Sequence, residues 1–206
     1  MLRFEKDKNN EDILLDSNNE QIMMEWEKPL MIATVDELQP YGDVLEIGFG
    51  MGYSATHIQT YKPKSYTIIE CDPIVIKKCK EWAKDYDNVI IIESKWQDAL
   101  DDLGTYDIIF FDPTETSNLK KLAYKIAHFN WHFIFTELAI CHHMKKGSKL
   151  SVYMPNNIID KYRKFISEQY NITYYEKEFK LKNISSECNY KRSSDELIIP
   201  IIEKIQ

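Results

Sequence analysis

From residue 43 onward the apolar positions fall into two alternating patterns. Largely apolar runs of strand length occupy 43–48, 66–70, 88–94, 106–112, 149–154 and 196–202, and 172–179 reads as a further, more polar strand. Between them, over 53–61, 73–86 and 157–170, apolar residues recur at helical spacing, and a long mixed segment, 117–145, reads as mostly helical. Pro73 stands at the first turn of its helix, where a missing N–H is tolerated. Seven such strands alternating with helices predict an α/β fold: a doubly wound, seven-stranded, mostly parallel sheet with helices on both faces. The last two strands have no helical pattern between them and are expected to pair antiparallel. Pro200, inside the last one, needs a position that donates nothing to the ladder.

Upstream the pattern is weaker. Residues 1–20 are polar and read as a flexible N-terminal arm, with the folded domain running from 21 to 206. Ile22, Met23, Trp26, Leu30, Ile32, Val35 and Leu38 predict a helix over about 20–38, which Pro29 should kink or divide. No internal repeat stands out.

Composition narrows the class. With 206 residues, 44% hydrophobic and 29% charged, the chain can bury a full single-domain core and is not disordered. A net charge of −7 argues against a nucleic-acid partner. No run of 18 uncharged apolar residues suggests a membrane span, and the first residues lack a signal-like apolar core. A cytoplasmic protein with reduced thiols at Cys71, Cys79, Cys141 and Cys188 is expected, as monomer or homodimer. Adjacent His142 and His143 point about 100° apart on a helix and have no second ligand cluster. No metal is expected. The aromatic run 128–135 reads as core packing.

The chemistry begins at 43–52, Asp-Val-Leu-Glu-Ile-Gly-Phe-Gly-Met-Gly. A strand that ends in Gly48, Gly50 and Gly52 and enters a helix brings bare backbone close to a ligand. The dinucleotide pattern places its third glycine one residue later, where this chain has Tyr53, so a ligand without pyrophosphate is favoured. Glu70 ends the second strand of the alternating set, 20 residues beyond Gly50, where a carboxylate can accept from both hydroxyls of a ribose. Asp112 ends the fourth strand after a fully apolar run. If the sheet reverses its winding between the first and fourth strands, Asp112 lies beside the glycine turn, facing the second reactant.

Several stretches in the same order, 21–31 (QIMMEWEKPLM), 44–52 (VLEIGFGMG), 68–72 (IIECD), 94–99 (SKWQDA) and 110–113 (FFDP), together resemble the guanidinoacetate N-methyltransferase family. The tail, SECNY followed by IIPIIEK, is similar as well. The resemblance implies a class I, Rossmann-like methyltransferase that uses S-adenosyl-L-methionine. It implies that Met23, Met31, Gly48, Phe49, Gly50, Met51, Gly52 and Tyr53 contact the cofactor. Glu70 would hold its ribose, with Cys71, Asp72, Trp96 and Gln97 bordering the adenine. Glu27 and Asp112 would grip the acceptor's guanidinium, with Asp112 accepting its proton. Tyr153, Pro155 and Asn156 fall in the segment that holds the acceptor's carboxylate. After Asp112 the chain reads Pro-Thr-Glu where the family has Thr-Tyr-Pro. The acceptor expected first is guanidinoacetate or a related small guanidine, then an arginine side chain in a protein or peptide. A methyltransferase with a diverged small-molecule acceptor and a non-catalytic S-adenosylmethionine-binding subunit are the other readings.

Overall fold

The computed structural model describes residues 2–113, 131–154, 158–169, 171–186, 188 and 195–206. Where the sequence reads as a loose arm, the chain forms strands β1 (Arg3–Lys6), β2 (Asp12–Leu15) and β3 (Gln21–Met24), paired as a three-stranded antiparallel sheet. Two turns of identical pattern, Asp-x-Asn-Asn-Glu at 7–11 and 16–20, make this possible. In each, the aspartate accepts from two backbone N–H groups: Asp7 from Asn9 and Glu11, Asp16 from Asn18 and Glu20. The second asparagine of each, Asn10 and Asn19, takes the left-handed conformation that asparagine tolerates best after glycine. Ile13, Leu14 and Leu15 bury against the main core.

The segment read as one helix over 20–38 is thus divided among three elements. β3 takes 21–24, a 3-10 turn takes Glu25–Glu27, and α1 runs Lys28–Leu38. Pro29 starts the helix instead of kinking it, because its absent N–H would have had no partner there.

The remaining strands are β4 (Asp43–Ile47), β5 (Ser65–Glu70), β6 (Val89–Glu93), β7 (Tyr106–Phe111), β8 (Met144–Val152), β9 (Ile172–Lys180) and β10 (Glu196–Lys204). They form one seven-stranded sheet in the order β6-β5-β4-β7-β8-β10-β9. The first five in that order are parallel; β10 runs antiparallel to β9, as the missing helix foretold, and antiparallel to β8 as well. The order reverses between β4 and β7. Helices α2 (Tyr53–Thr60), α3 (Pro73–Ala83), α4 (Trp96–Ala99), α5 (Trp131–Leu138) and α6 (Ile159–Ser167) connect the strands. Alternate residues of each central strand go to opposite faces. Val44, Ile68, Ile108 and Phe110 pack with α1, α2, α3 and the N-terminal sheet; Leu45, Ile69, Ile109 and Phe111 pack with α4, α5 and α6. No helix among the described residues is long and apolar enough to cross a membrane.

One strand starts earlier than its apolar run suggests. β8 begins at Met144, not 149, because the ladder with β7 jumps from Tyr106↔Met144 to Ile108↔Lys149. Buried Ser148 fills the irregularity, its hydroxyl donating to the Tyr106 carbonyl at 2.6 Å. Preceding it, in the segment read as mostly helical, 139–143 forms a π-helical turn. His143 is buried with Nδ1 3.0 Å from the Gly104 carbonyl. The Lys204 ammonium donates to the carbonyls of Ile140 and Met144. Pro200 lies just before the stretch of β10 that registers with β8, and its carbonyl accepts from the Ser151 hydroxyl.

Candidate active site

The winding reversal sets the site. Parallel strands β4 and β7 lie side by side, and the Asp112 N–H extends their ladder by donating to the Ile47 carbonyl at 3.0 Å. The first residue of the glycine turn therefore lies against Asp112. Gly48 has φ +90°, and a Cβ there would come within 2.7 Å of the Asp112 carbonyl oxygen. Gly50, at φ +53°, faces Met23, whose Sδ would be 2.8 Å from an added Cβ. Bare backbone at these points is what leaves room for the turn to approach both Asp112 and a ligand.

Glu70 is aimed at the turn from the end of β5. Its carboxylate accepts from the N–H groups of Phe49, Cys71 and Asp72 at 3.0, 2.7 and 2.9 Å. Those bonds fix its rotamer and leave lone pairs for a further donor. Asp72 caps the N-terminus of α3 through Ile74 and Val75, and also accepts from the Leu2 N–H. Cys71 is exposed beside them. Met51 is buried and its N–H points at the Met23 sulfur. Phe49 is turned inward against Trp82, ring centroids 5.4 Å apart.

The other residues implied for the site lie on neighbouring elements. Trp96 is buried in an aromatic cluster, edge-on to Phe111, Trp131 and Phe135, while Gln97 beside it is half-buried. Met31, on α1, packs near Phe110 and Tyr153. The Tyr153 N–H donates to the Phe111 carbonyl, so it continues the β7–β8 ladder next to Asp112. Pro155 and Asn156 lie outside the described residues.

Glu27 and Asp112, 85 positions apart in the chain, lie near enough for the charge of one to act on the other. Glu27 is buried in the 3-10 turn, its Oε2 receiving the Met24 N–H at 3.0 Å. Asp112 is raised well above the carboxylate range, first by burial, then by the charge of Glu27, then by that of Glu46. A cation placed between the two carboxyls would offset that repulsion and favour the ionised form of Asp112. Around the mouth, half-buried Tyr53 is raised by burial and by the charges of Glu25, Asp12, Glu27 and Glu11, and the Lys28 ammonium lies 5.6 Å from its ring centroid.

Glu46 escaped the sequence reading. It sits fully buried in β4, accepting from the Ser54 hydroxyl and the Tyr66 phenol. The available signal was a single carboxylate within Val-Leu-Glu-Ile, which looks like any strand residue. Burial pushes it up to about 7, against the pull of those two hydrogen bonds. The folded state thus holds a proton that the unfolded chain releases near pH 4.5. Stability from this group is complete below that pH and is lost as pH rises toward 7, by about 3 kcal/mol at 1.36 per unit. Urea unfolding of Glu46→Gln and wild type from pH 4 to 8 checks this: the variant should gain on wild type by that amount as pH rises.

Comparison with known proteins gives a consistent picture. The sequence matches the family described as Guanidinoacetate N-methyltransferase over residues 4–196. It is 44% identical over 110 residues to protein arginine N-methyltransferase 2 of Candida glabrata, covering 50% of this chain and 26% of that protein. It is 35% identical over 118 residues to the Saccharomyces cerevisiae protein of that name, covering 54% and 29%. The match thus spans little more than a quarter of these relatives' length. Among solved structures, a tRNA m1G37 methyltransferase of M. jannaschii superposes with TM-score 0.64 at 13% identity, covering all of this chain and 57% of the other. A precorrin-6y C5,15-methyltransferase from Geobacter metallireducens gives 0.60 at 13% identity, covering 98% and 93%. These two share the fold.

Proposed function

Because the chain belongs to the guanidinoacetate N-methyltransferase family, we propose that it moves a methyl group from S-adenosyl-L-methionine to a guanidino nitrogen. The observation that carries this reading is the Glu27–Asp112 pair beside the glycine turn. The cofactor supplies a methyl group on a sulfonium sulfur. The turn from Gly48 to Tyr53, Met23 and the Glu70 carboxylate would hold it, with Cys71 and Asp72 at the adenine end. A flat guanidinium matches carboxylates through its fork of N–H donors, and Glu27 and Asp112 would orient it. Its arrival also relieves the repulsion between them, lowering the Asp112 pKa into the range of a working base. Asp112 would then take the proton that the methylated nitrogen must lose, since a free guanidinium titrates above about 12.

The acceptor we favour is an arginine side chain in a polypeptide. Relatives 44% and 35% identical to this chain over 110 and 118 residues carry arginine N-methyltransferase names. Glu25, Asp12, Glu27 and Glu11 all act on Tyr53, outweighing the Lys28 ammonium over its ring, which suits a cationic segment better than a free carboxylate. Guanidinoacetate, the acceptor in the family's description, is the second reading. Calorimetry with S-adenosylhomocysteine, followed by mass-spectrometric methylation assays on an arginine peptide, free arginine and guanidinoacetate, separates them. Methylation of the peptide alone is expected. Turnover of guanidinoacetate alone would move the assignment to the small acceptor, and no binding of S-adenosylhomocysteine would remove the reading altogether.

A further inference from the structure

We propose that His132 is a positioning residue for the acceptor side of the site: its imidazole ties the ends of β7 and β8 together, so that Asp112 and the Tyr153 backbone meet the acceptor at a fixed separation. The inference rests on the guanidine-transfer reading for its substrate, but its geometry stands alone. His132 lies on the first turn of α5, a helix firmly seated on α6. Phe133 stacks on Phe165 at 5.2 Å, and the Thr136 hydroxyl lies 2.8 Å from the Tyr162 phenol while donating to the His132 carbonyl. The ring projects from this platform onto both strand ends. It stands edge-on to Phe111, 6.0 Å between centroids, and is hydrogen-bonded to the Tyr153 backbone. Phe111 precedes Asp112, and its carbonyl accepts the Tyr153 N–H at 2.9 Å. One imidazole therefore buttresses the residue before the proposed base and the first residue of the proposed acceptor-holding segment.

The side chain's chemistry fits that task. The ring stands against Phe111, which itself stacks on Phe135, and a phenylalanine would fill the position at no desolvation cost. An imidazole there is worth keeping only for its N–H. Burial lowers the ring to about 4, so it remains neutral and adds no positive charge beside a bound guanidinium.

The test uses His132→Phe, which keeps the ring but removes the donor, with His132→Asn and His132→Gln, which each return a donor near one ring nitrogen. His132→Phe should raise the acceptor KM about tenfold, the weight of one hydrogen bond, with kcat less affected. S-adenosylhomocysteine affinity should hold, melting temperature should fall by no more than a few degrees, and one of the two amide variants should recover most of the loss. Hydrogen exchange should quicken at 110–113 and 152–154 but not at 48–53. An unchanged KM, or equal losses in cofactor affinity and melting temperature, would overturn the proposal. If wild type methylates no guanidine, the acceptor reading fails separately. Exchange then decides: quickening confined to the strand ends supports the positioning role, and unchanged exchange ends it.

Discussion

Asp112→Asn is expected to slow methyl transfer by about 10²–10⁴-fold, the range for removing a positioned proton acceptor, while S-adenosylhomocysteine binds as before. The same change should make the protein more stable at neutral pH. The folded Asp112 pKa is raised, chiefly by burial and next by Glu27. Between the unfolded carboxylate value and that raised value, the folded state binds a proton that the unfolded chain does not. Stability therefore falls as pH rises through this window, and above it wild type carries an ionised group that its surroundings disfavour. The asparagine variant has no such group, so its advantage should grow with pH and vanish near pH 4. Rate and stability moving in opposite directions is the signature of a residue kept for chemistry. A purely structural Asp112 would lose both. Initial rates with saturating cofactor, and urea midpoints at pH 4 to 8, give the two numbers. A variant with near-normal turnover would remove Asp112 as the base.

The parts of this molecule that were readable from sequence are those governed by one dominant force. Buried parallel strands need continuous apolar runs, so β4, β5 and β7 were visible, and the expected reversal of winding between β4 and β7, where the structure has it, puts Asp112 beside Gly48. The N-terminal sheet was not visible because four-residue strands are too short for periodicity to register. Ile22, Met23 and Trp26 fit a helical spacing by accident. The usable clue was chemical: Asp-x-Asn-Asn-Glu twice, a turn whose aspartate and left-handed asparagine specify a hairpin. That missed sheet matters to the site. Met23, at the end of β3, touches the glycine turn, and the Met24 N–H orients Glu27. Glu46 and His132 were hidden for another reason. Each is a single polar residue in an apolar run, and only tertiary contact distinguishes a buried carboxylate or imidazole from a surface one.

Gly48→Ala should be the most damaging single methyl group that can be added near the site. The backbone at Gly48 has φ +90°, which an L side chain adopts only under strain of about 1–3 kcal/mol. The new Cβ would lie 2.7 Å from the Asp112 carbonyl oxygen and 3.3 Å from the Pro113 Cα, so no flexible side chain can move aside. Nor can Gly48 retreat, because its own N–H is held by the Ile69 carbonyl at 2.9 Å. The strain must be relieved by shifting the end of β7, which carries Asp112 away from Glu27. Melting should drop by about 10 °C, the equivalent of roughly 3 kcal/mol in a chain of this size. S-adenosylhomocysteine affinity should fall at least tenfold, or about 1.4 kcal/mol. Gly104→Ala is the control. A Cβ there meets nothing within 4 Å, and surface changes of that kind stay within about 0.5 kcal/mol. If Gly48→Ala melts and binds like the control, the turn is not where the cofactor sits, and the carboxylate pair beside it loses its proposed role.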